Sequence, residues 1–208
     1  MKRVEMYYYG LLTNTDEIFT FRHWSDVLNF CKSTRYKRRL VTCCGTQEAL
    51  DRWIAFQKDV FSPYSSDVYP VCYSRFYYNS SHYRLYTGYS IVLKGDIIRE
   101  NIYAEDYLTP SYPLEGYVRM LISVAAWIES QKFSNVTIIV PSLNTIQLLG
   151  GWAHLVDFTP SFRKTVREFL KYENITSFRI SKLAEEDMHF KNLSKNLLLL
   201  KRKEETSI

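Results

Sequence analysis

The sequence is poor in the residues that build metal sites and disulfide frameworks. Its 208 residues include four histidines and four cysteines, and no pair among Cys31, Cys43, Cys44 and Cys72 has C-x-x-C spacing. A structural zinc site needs clustered Cys and His ligands, so this composition argues against one. We expect reduced thiols in a reducing compartment, and neither a metal nor another cofactor.

Long apolar runs are also missing. No stretch approaches the roughly 20 apolar residues that a membrane-spanning helix needs. The first ten residues, MKRVEMYYYG, lack the apolar segment of a secretory signal. We therefore expect an intracellular protein, cytoplasmic or nuclear, with no membrane association.

Aromatic residues and positive charge are plentiful. Tyrosine occurs 17 times, aromatic residues make up 16% of the chain, and the net charge is +5. A hydrophobic content of 46% with 24% charged residues is ordinary for a globular protein. The basic balance favours a polyanionic partner. The aromatic content fits a core, a protein interface or a base-stacking surface equally well.

The pattern along the chain predicts two α/β units joined by a linker. Residues 1–60 are predicted as β-β-α-β-α, with Thr46 as the N-cap of the second helix. Residues 61–70, FSPYSSDVYP, are rich in proline and serine and are predicted as the linker. Residues 71–208 are predicted as β-β-β-α-β-α-α-β-α, with an apolar strand at 136–140 that suits a buried parallel position.

The order of elements in residues 71–208 resembles the ribonuclease H family. That family opens its first long helix with a glutamate, as YPLEGYVRML does here with Glu115. Its fourth strand ends in T-D-S before a short helix, and VTIIVPSLNTIQLL places Pro141 and Ser142 at the Asp-Ser pair. The resemblance implies an α/β domain with a mixed five-stranded sheet flanked by helices.

Residues 1–60 resemble the hybrid-binding domain, also called the viroplasmin domain, which precedes a ribonuclease H domain in eukaryotic type 1 enzymes. The segments YYYG, EIFTFRHW, VLNFCK, RYKRRL and TQEALDRW follow its pattern in order. Basic side chains neutralise phosphates and an aromatic ring stacks on a base or sugar. The alternative is a solvated charge run beside core aromatics. The resemblance and the basic loop together imply a nucleic-acid contact set: Tyr8 (one of three candidates, Tyr7 to Tyr9), Trp24, Arg35, Tyr36, Lys37, Arg38 and Arg39.

The same resemblance implies four carboxylates that hold two divalent metals. The first belongs on the first strand of the domain, but residues 68–95 contain no Asp or Glu. If that strand is VCYSRFY, the position falls near Ser74, and if it is YRLYTG, at Thr87-Gly88. Glu115 occupies the second position. Its alternative role is to interact favourably with the helix dipole from the first turn of its helix.

The third and fourth positions lack carboxylates. Pro141 stands at the third and has no side-chain oxygen to offer a hard cation. A proline is tolerated there if it lies in the first turn of the following helix. The fourth position falls near Ser194 and Lys195, and a cation there repels metals. A single carboxylate of four does not assemble a two-metal site, so we do not expect an enzyme.

These observations favour non-catalytic binding of double-stranded RNA or an RNA–DNA hybrid, on a ribonuclease H scaffold that has lost its metal site. The first alternative is a protein-interaction adaptor within a larger nucleoprotein complex. The second is a nuclease with a rebuilt metal site.

Overall fold

The computed structural model divides the chain into two compact units, Met1–Asp59 and Val60–Ile208. Within the described residues, none of the helices combines the length and apolar character that a bilayer crossing requires. The structure describes residues 7–33, 38–107, 112–153, 155–156, 158–173 and 175–206.

The first unit has a three-stranded antiparallel sheet in the order β2-β1-β3. Ala49 N donates a hydrogen bond to Thr46 Oγ1 at 3.1 Å, which confirms the predicted N-cap. The elements are β1 (Tyr8–Thr13), β2 (Ile18–Phe21), α1 (Trp24–Ser33), β3 (Arg38–Cys44) and α2 (Gln47–Val60).

The two helices cover opposite faces of this small sheet. Phe30 of α1 packs on Phe19 and Phe21 of β2, with ring centroids 4.6 and 5.4 Å apart. On the other face, a Cβ built on Gly10 would lie 2.5 Å from the ring of buried Trp53 in α2. Glycine is therefore required at the centre of β1 because the indole occupies the space of a side chain.

The second unit has a mixed five-stranded sheet in the order β6-β5-β4-β7-β8. The pairs β4–β5 and β5–β6 are antiparallel, whereas β4–β7 and β7–β8 are parallel. The predicted fold class, a small β-β-α-β-α unit followed by a mixed five-stranded sheet flanked by helices, is confirmed. The elements are β4 (Val71–Asn79), β5 (Arg84–Leu93), β6 (Asp96–Asp106), α3 (Tyr112–Ser130), β7 (Val136–Val140), α4 (Leu143–Leu149), α5 (Pro160–Phe169), β8 (Ile175–Ile180), the 3-10 turn Ser181–Ala184 and α6 (Met188–Glu205).

Helices α3 and α6 pack on opposite faces of this sheet. Successive residues of a strand point to opposite faces. Phe76 of β4 meets Tyr117 of α3 at 4.9 Å between ring centroids, whereas Tyr73 of β4 meets Phe190 of α6 at 6.4 Å. The central strand is thus buried on both sides, as its largely apolar sequence requires.

Helix α5 lies on the same face as α3. Phe169 of α5 packs on Phe178 of β8, with ring centroids 6.3 Å apart. Phe178 pairs with Ile138 and Ile138 pairs with Cys72, so all three share the face that α3 covers. The sheet therefore separates α5 from α6.

Residues 61–70, predicted as a linker, contain no helix or strand and are bonded to the second unit. The carbonyl of Ser62 accepts a hydrogen bond from Nε of buried Arg179 at 2.9 Å. The carbonyl of Ser66 accepts one from the backbone N–H of Lys94 at 2.6 Å. These bonds hold the segment along the β-sheet of the second unit.

Candidate nucleic-acid interface

Strand register places Ser74 at the sheet position implied for a first carboxylate. β4 pairs in parallel with β7, and Tyr73 lies opposite Ile139. Ser74 follows directly and lies beside the end of β7, whereas Thr87 and Gly88 lie on β5, the next strand away from β7. Of the two alternatives that the sequence leaves open, the geometry favours Ser74.

The Ser74 side chain is completely buried, and its hydroxyl has two hydrogen-bond partners. Its hydroxyl donates to the carbonyl of Ile139 at 2.6 Å, and its oxygen lies 2.6 Å from the Tyr117 hydroxyl. Burial raises the pKa of Tyr117, which keeps the phenol protonated. The pair therefore forms a neutral link between β4 and α3.

Glu115 has partners on helices rather than on the strands. Its Oε1 accepts hydrogen bonds from Ser161 Oγ and Arg119 Nη2, each at 2.7 Å, and from Thr165 Oγ1 at 3.4 Å. Only 4% of the residue is exposed. The carboxylate thus joins α3 to α5. No sequence pattern indicates this role, because Ser161 lies 46 residues away.

The third position differs from the prediction in one detail. Helix α4 begins at Leu143, and Ser142 is its N-cap, with Oγ accepting from Thr145 N at 3.2 Å. Pro141 therefore lies before the cap and not in the first helical turn. Its missing N–H is harmless there because that residue donates no helical hydrogen bond.

At the fourth position, the structure shows a cationic groove beside helix α6. We call it the α6 groove; its volume is about 490 Å³. Ser194 and Lys195, to which the resemblance assigns the fourth position, both line it. It also contains Glu185, its one acidic residue. The residues that line it are Arg75, Glu185, Phe190, Lys191, Ser194, Lys195, Leu198, Leu199 and Arg202.

Arg75 is held in place within the α6 groove. Its guanidinium carbon lies 5.0 Å from the ring centre of Tyr77 and 5.1 Å from that of Phe190. Its Nη1 donates to Ser194 Oγ at 3.1 Å, and Ser194 in turn donates to the Phe190 carbonyl at 2.8 Å. Aromatic stacking and this bond orient a charge that is already desolvated on one side.

Three further cations line the α6 groove from the helix itself. Lys191, Lys195 and Arg202 follow at spacings of four and seven residues, which places them on one helix face. Lys191 also pairs with exposed Glu186 at 2.7 Å, a contact that contributes little in water. Sequence reasoning named Lys195 but missed Arg75, since β4 and α6 are more than 100 residues apart. The spacing of Lys191, Lys195 and Arg202 along the sequence was the one signal that could have predicted the helical side of the α6 groove.

In the first unit, the structure brings Tyr9, and not Tyr8, beside Trp24. The Tyr9 and Trp24 rings are 5.7 Å apart, and 40% of Trp24 is exposed. Tyr8 lies under the guanidinium of Arg22 at 4.0 Å, and strand alternation puts it on the same face as Gly10. Tyr9 is therefore the β1 tyrosine on the Trp24 face, and the nucleic-acid contact assigned to Tyr8 stays a prediction.

The basic loop is shorter than the sequence suggested. Arg38 and Arg39 are exposed at the start of strand β3, and Arg39 forms an ion pair with Asp16. Arg35, Tyr36 and Lys37 lie outside the described residues. Within the described part of the chain, no group of three His, Cys, Asp or Glu side chains could hold a metal ion.

No protein-family model and no curated protein matches the chain. Among solved structures, ribonuclease H1 from the halophilic archaeon Halobacterium salinarum NRC-1 is similar, with 15% identity, a TM-score of 0.43, and coverage of 61% of this chain and 98% of that chain. The N-terminal ribonuclease H domain of a Mycobacterium tuberculosis protein, solved as a fusion with maltose-binding protein, is similar with 10% identity, a TM-score of 0.43, and coverage of 62% and 99%. The fold class rests on the strand order and register described above.

Proposed function

We propose that this chain is a non-catalytic nucleic-acid-binding protein that holds double-stranded RNA or an RNA–DNA hybrid on a ribonuclease H-like scaffold. The observation that supports this best is the α6 groove. Arg75 is oriented there by Ser194 and two aromatic rings, and Lys195 lines the same groove. Cations gathered in one groove attract phosphates.

The α6 groove suits a phosphate backbone. The planar fork of Arg75 is oriented before binding, so little side-chain freedom is lost when it contacts a phosphate. Lys191, Lys195 and Arg202 add three positive charges, which release counterions from the nucleic acid on binding. Leu198 offers an apolar surface for sugar atoms. Such contacts recognise the shape of a duplex and are largely independent of its sequence.

The proposed loss of catalysis follows from three positions. Ser74 is buried and bonded to Ile139 and Tyr117. Glu115 is bonded to groups on α3 and α5. Pro141 has no ligand atom on its side chain. A two-metal reaction needs several oxygen ligands that converge on one point, and these residues do not supply them.

The test is a binding titration at two salt concentrations with an RNA–DNA hybrid, double-stranded RNA and double-stranded DNA. We expect affinity to fall with salt. The double variant Arg75→Gln/Lys195→Gln should bind about tenfold more weakly and show a shallower salt dependence. The matched control, Lys132→Gln/Lys182→Gln, removes two exposed charges outside the α6 groove. Equal affinity of the two double variants, or no binding at low salt, contradicts the proposal.

A protein-interaction adaptor is the second candidate, and the edge strand β6 favours it. β6 lies at one end of the five-stranded sheet, so one side of its backbone has no neighbouring strand in the described fold. Ile97 and Ile98 are exposed on it at 47% and 38%. Exposed apolar edges accept an added strand from a partner. An adaptor role predicts protein partners that survive nuclease treatment and are lost in Ile97→Lys.

A further inference from the structure

Helix α5 has a second cationic surface, away from the α6 groove. We call it the α5 basic row: Arg163, Lys164, Arg167 and Lys171. It borders a shallow groove of about 500 Å³ that Pro160 and Glu168 complete. Arg163 and Arg167 lie four residues apart, about 6 Å along the helix, and Lys171 follows two residues after the helix ends at Phe169.

The α5 basic row lies outside the buried face of its helix. The helix is anchored by Phe162, Val166 and Phe169, which are all buried on its other side. Like charges four residues apart destabilise a helix, and Arg163 and Arg167 form one such pair within α5, while Lys171 lies two residues beyond the helix end at Phe169. A concentration of positive charge that the packing of the helix does not use is available to an anionic partner.

The chemistry of this surface fits a phosphate backbone better than a protein. Protein interfaces have apolar or aromatic anchors at their centre. Pro160 is the one apolar residue that lines the shallow groove, which has no aromatic ring. A phosphate backbone binds to positive charge without apolar anchors. The row presents four cations beside one carboxylate, that of Glu168.

The α5 basic row and the α6 groove lie on opposite faces of the same sheet. The sheet and a helical layer on each side, with helices about 10 Å across, separate them. This separation exceeds the Debye length of about 8 Å at physiological salt, so charge on one face is screened from the other. A duplex of about 20 base pairs is far shorter than its bending length of roughly 150 base pairs and cannot wrap around both.

We infer that the α5 basic row binds the backbone of a second nucleic-acid duplex while the α6 groove holds the first, so that one chain bridges two duplexes. This inference rests on the proposed function and adds a second, independent site to it. Bridging requires no contact between the duplexes, because each occupies its own face. It is independent of base sequence, since the row offers charge alone.

Capture of one duplex by another tests this directly. A hybrid of about 20 base pairs is fixed to beads, the purified protein is added, and a second, fluorescent hybrid is then supplied in solution. The wild type should retain the fluorescent hybrid. Arg167→Gln/Lys171→Gln should bind a single hybrid within about twofold of wild type but retain about tenfold less of the second. The control Lys132→Gln/Lys182→Gln should behave as wild type.

The possible outcomes separate the two proposals. If no hybrid binds under any condition, the proposed function fails and the bridging inference with it. If one hybrid binds but the second is never retained, only the inference is overturned. Retention that is unchanged in Arg167→Gln/Lys171→Gln also overturns it, because bridging then comes from self-association of the protein. Circular dichroism of each variant checks that it is folded.

Discussion

The hydroxyl oxygens of Ser74 and Tyr117 lie 2.6 Å apart in the buried layer between strand β4 and helix α3. Because Ser74 donates its own proton to the Ile139 carbonyl, the phenol of Tyr117 donates to Ser74. Both hydroxyl protons of this hydrogen-bonded pair therefore have an acceptor, and both side chains are fully buried. The position to which the resemblance assigns a first metal ligand is thus occupied by a closed set of neutral hydrogen bonds.

Introducing a carboxylate here should destabilise the protein without creating a nuclease. Ser74→Asp buries a charge beside a phenol, and we expect a loss of roughly 3 kcal/mol in the free energy of unfolding. The loss should grow between pH 5 and pH 8, because burial favours the protonated acid and ionisation becomes more costly as pH rises. Urea denaturation at both pH values measures this. An Asp variant as stable as wild type, or one that cleaves RNA, contradicts the account.

Glu115 should matter for stability and not for nucleic-acid binding. Glu115→Ala removes the acceptor of the Ser161 hydroxyl and one of the two acceptors of the Thr165 hydroxyl, and we expect a loss of about 2 kcal/mol. Glu115→Gln keeps a side-chain oxygen and should lose about half as much. Glu129→Ala, an exposed change on the same helix, is the control and should stay within about 0.5 kcal/mol. A change in hybrid affinity larger than the control's would assign Glu115 to the interface.

Stability should fall at alkaline pH because of three buried acids. Burial raises the pKa of Cys72, Tyr73 and Tyr117, and for Tyr73 the hydrogen bond to Asp187 adds to the effect. Each group stays protonated in the folded chain while it ionises in the unfolded chain near its ordinary value, about 8.5 for Cys and 10 for Tyr. Their contribution to stability is therefore fully present below about pH 8 and is lost as pH rises beyond that.

A cysteine variant isolates one part of this pH dependence. In Cys72→Ala, the slope of unfolding free energy against pH between about 8.5 and 10 should be shallower than in wild type, by up to about 1.4 kcal/mol per pH unit. Cys43→Ala, which removes an exposed thiol, is the control and should keep the wild-type slope. Identical slopes in all three proteins would exclude Cys72 as a source.

Gly88 is required for helix α6 to pack on the sheet. A Cβ at this position would lie 2.8 Å from Ile102 Cγ2 and 3.1 Å from Leu193 Cδ1. Gly88→Ala should cost about 1–3 kcal/mol and weaken hybrid binding, because the α6 groove moves with its helix. Gly45→Ala meets no atom within 4 Å and is the control. In a double-mutant cycle, Ile102→Ala should recover part of the loss, and strict additivity would refute the proposed clash.

Much of the fold could be predicted from local sequence signals. The β-branched run at 136–140 forms the buried parallel strand β7, because such residues suit a sheet covered on both faces. Thr46 caps its helix, because its hydroxyl reaches the N–H three residues later. Both features depend on neighbours within a few residues, so the sequence alone contains the information.

The site residues depend on neighbours that are distant in sequence, and these were missed. Arg75 meets Ser194 across 119 residues, and Glu115 meets Ser161 across 46. Neither contact leaves a spacing pattern. The first-strand tyrosine that lies beside Trp24 could not be predicted either, because a shift of one residue reverses the face to which a strand residue points. Pairing with β3 and packing on α1 decide that face, and the sequence does not show them.

The most direct test of the central claim is to measure binding and integrity of one substrate together. A labelled RNA–DNA hybrid is titrated with purified protein in Mg²⁺ or Mn²⁺, its anisotropy is recorded, and the same samples are then run on a denaturing gel. The account predicts salt-dependent binding that is weakened in Arg75→Gln/Lys195→Gln, with the RNA strand left intact throughout. RNA cleavage that copurifies with the protein, or no binding at low salt, would contradict it.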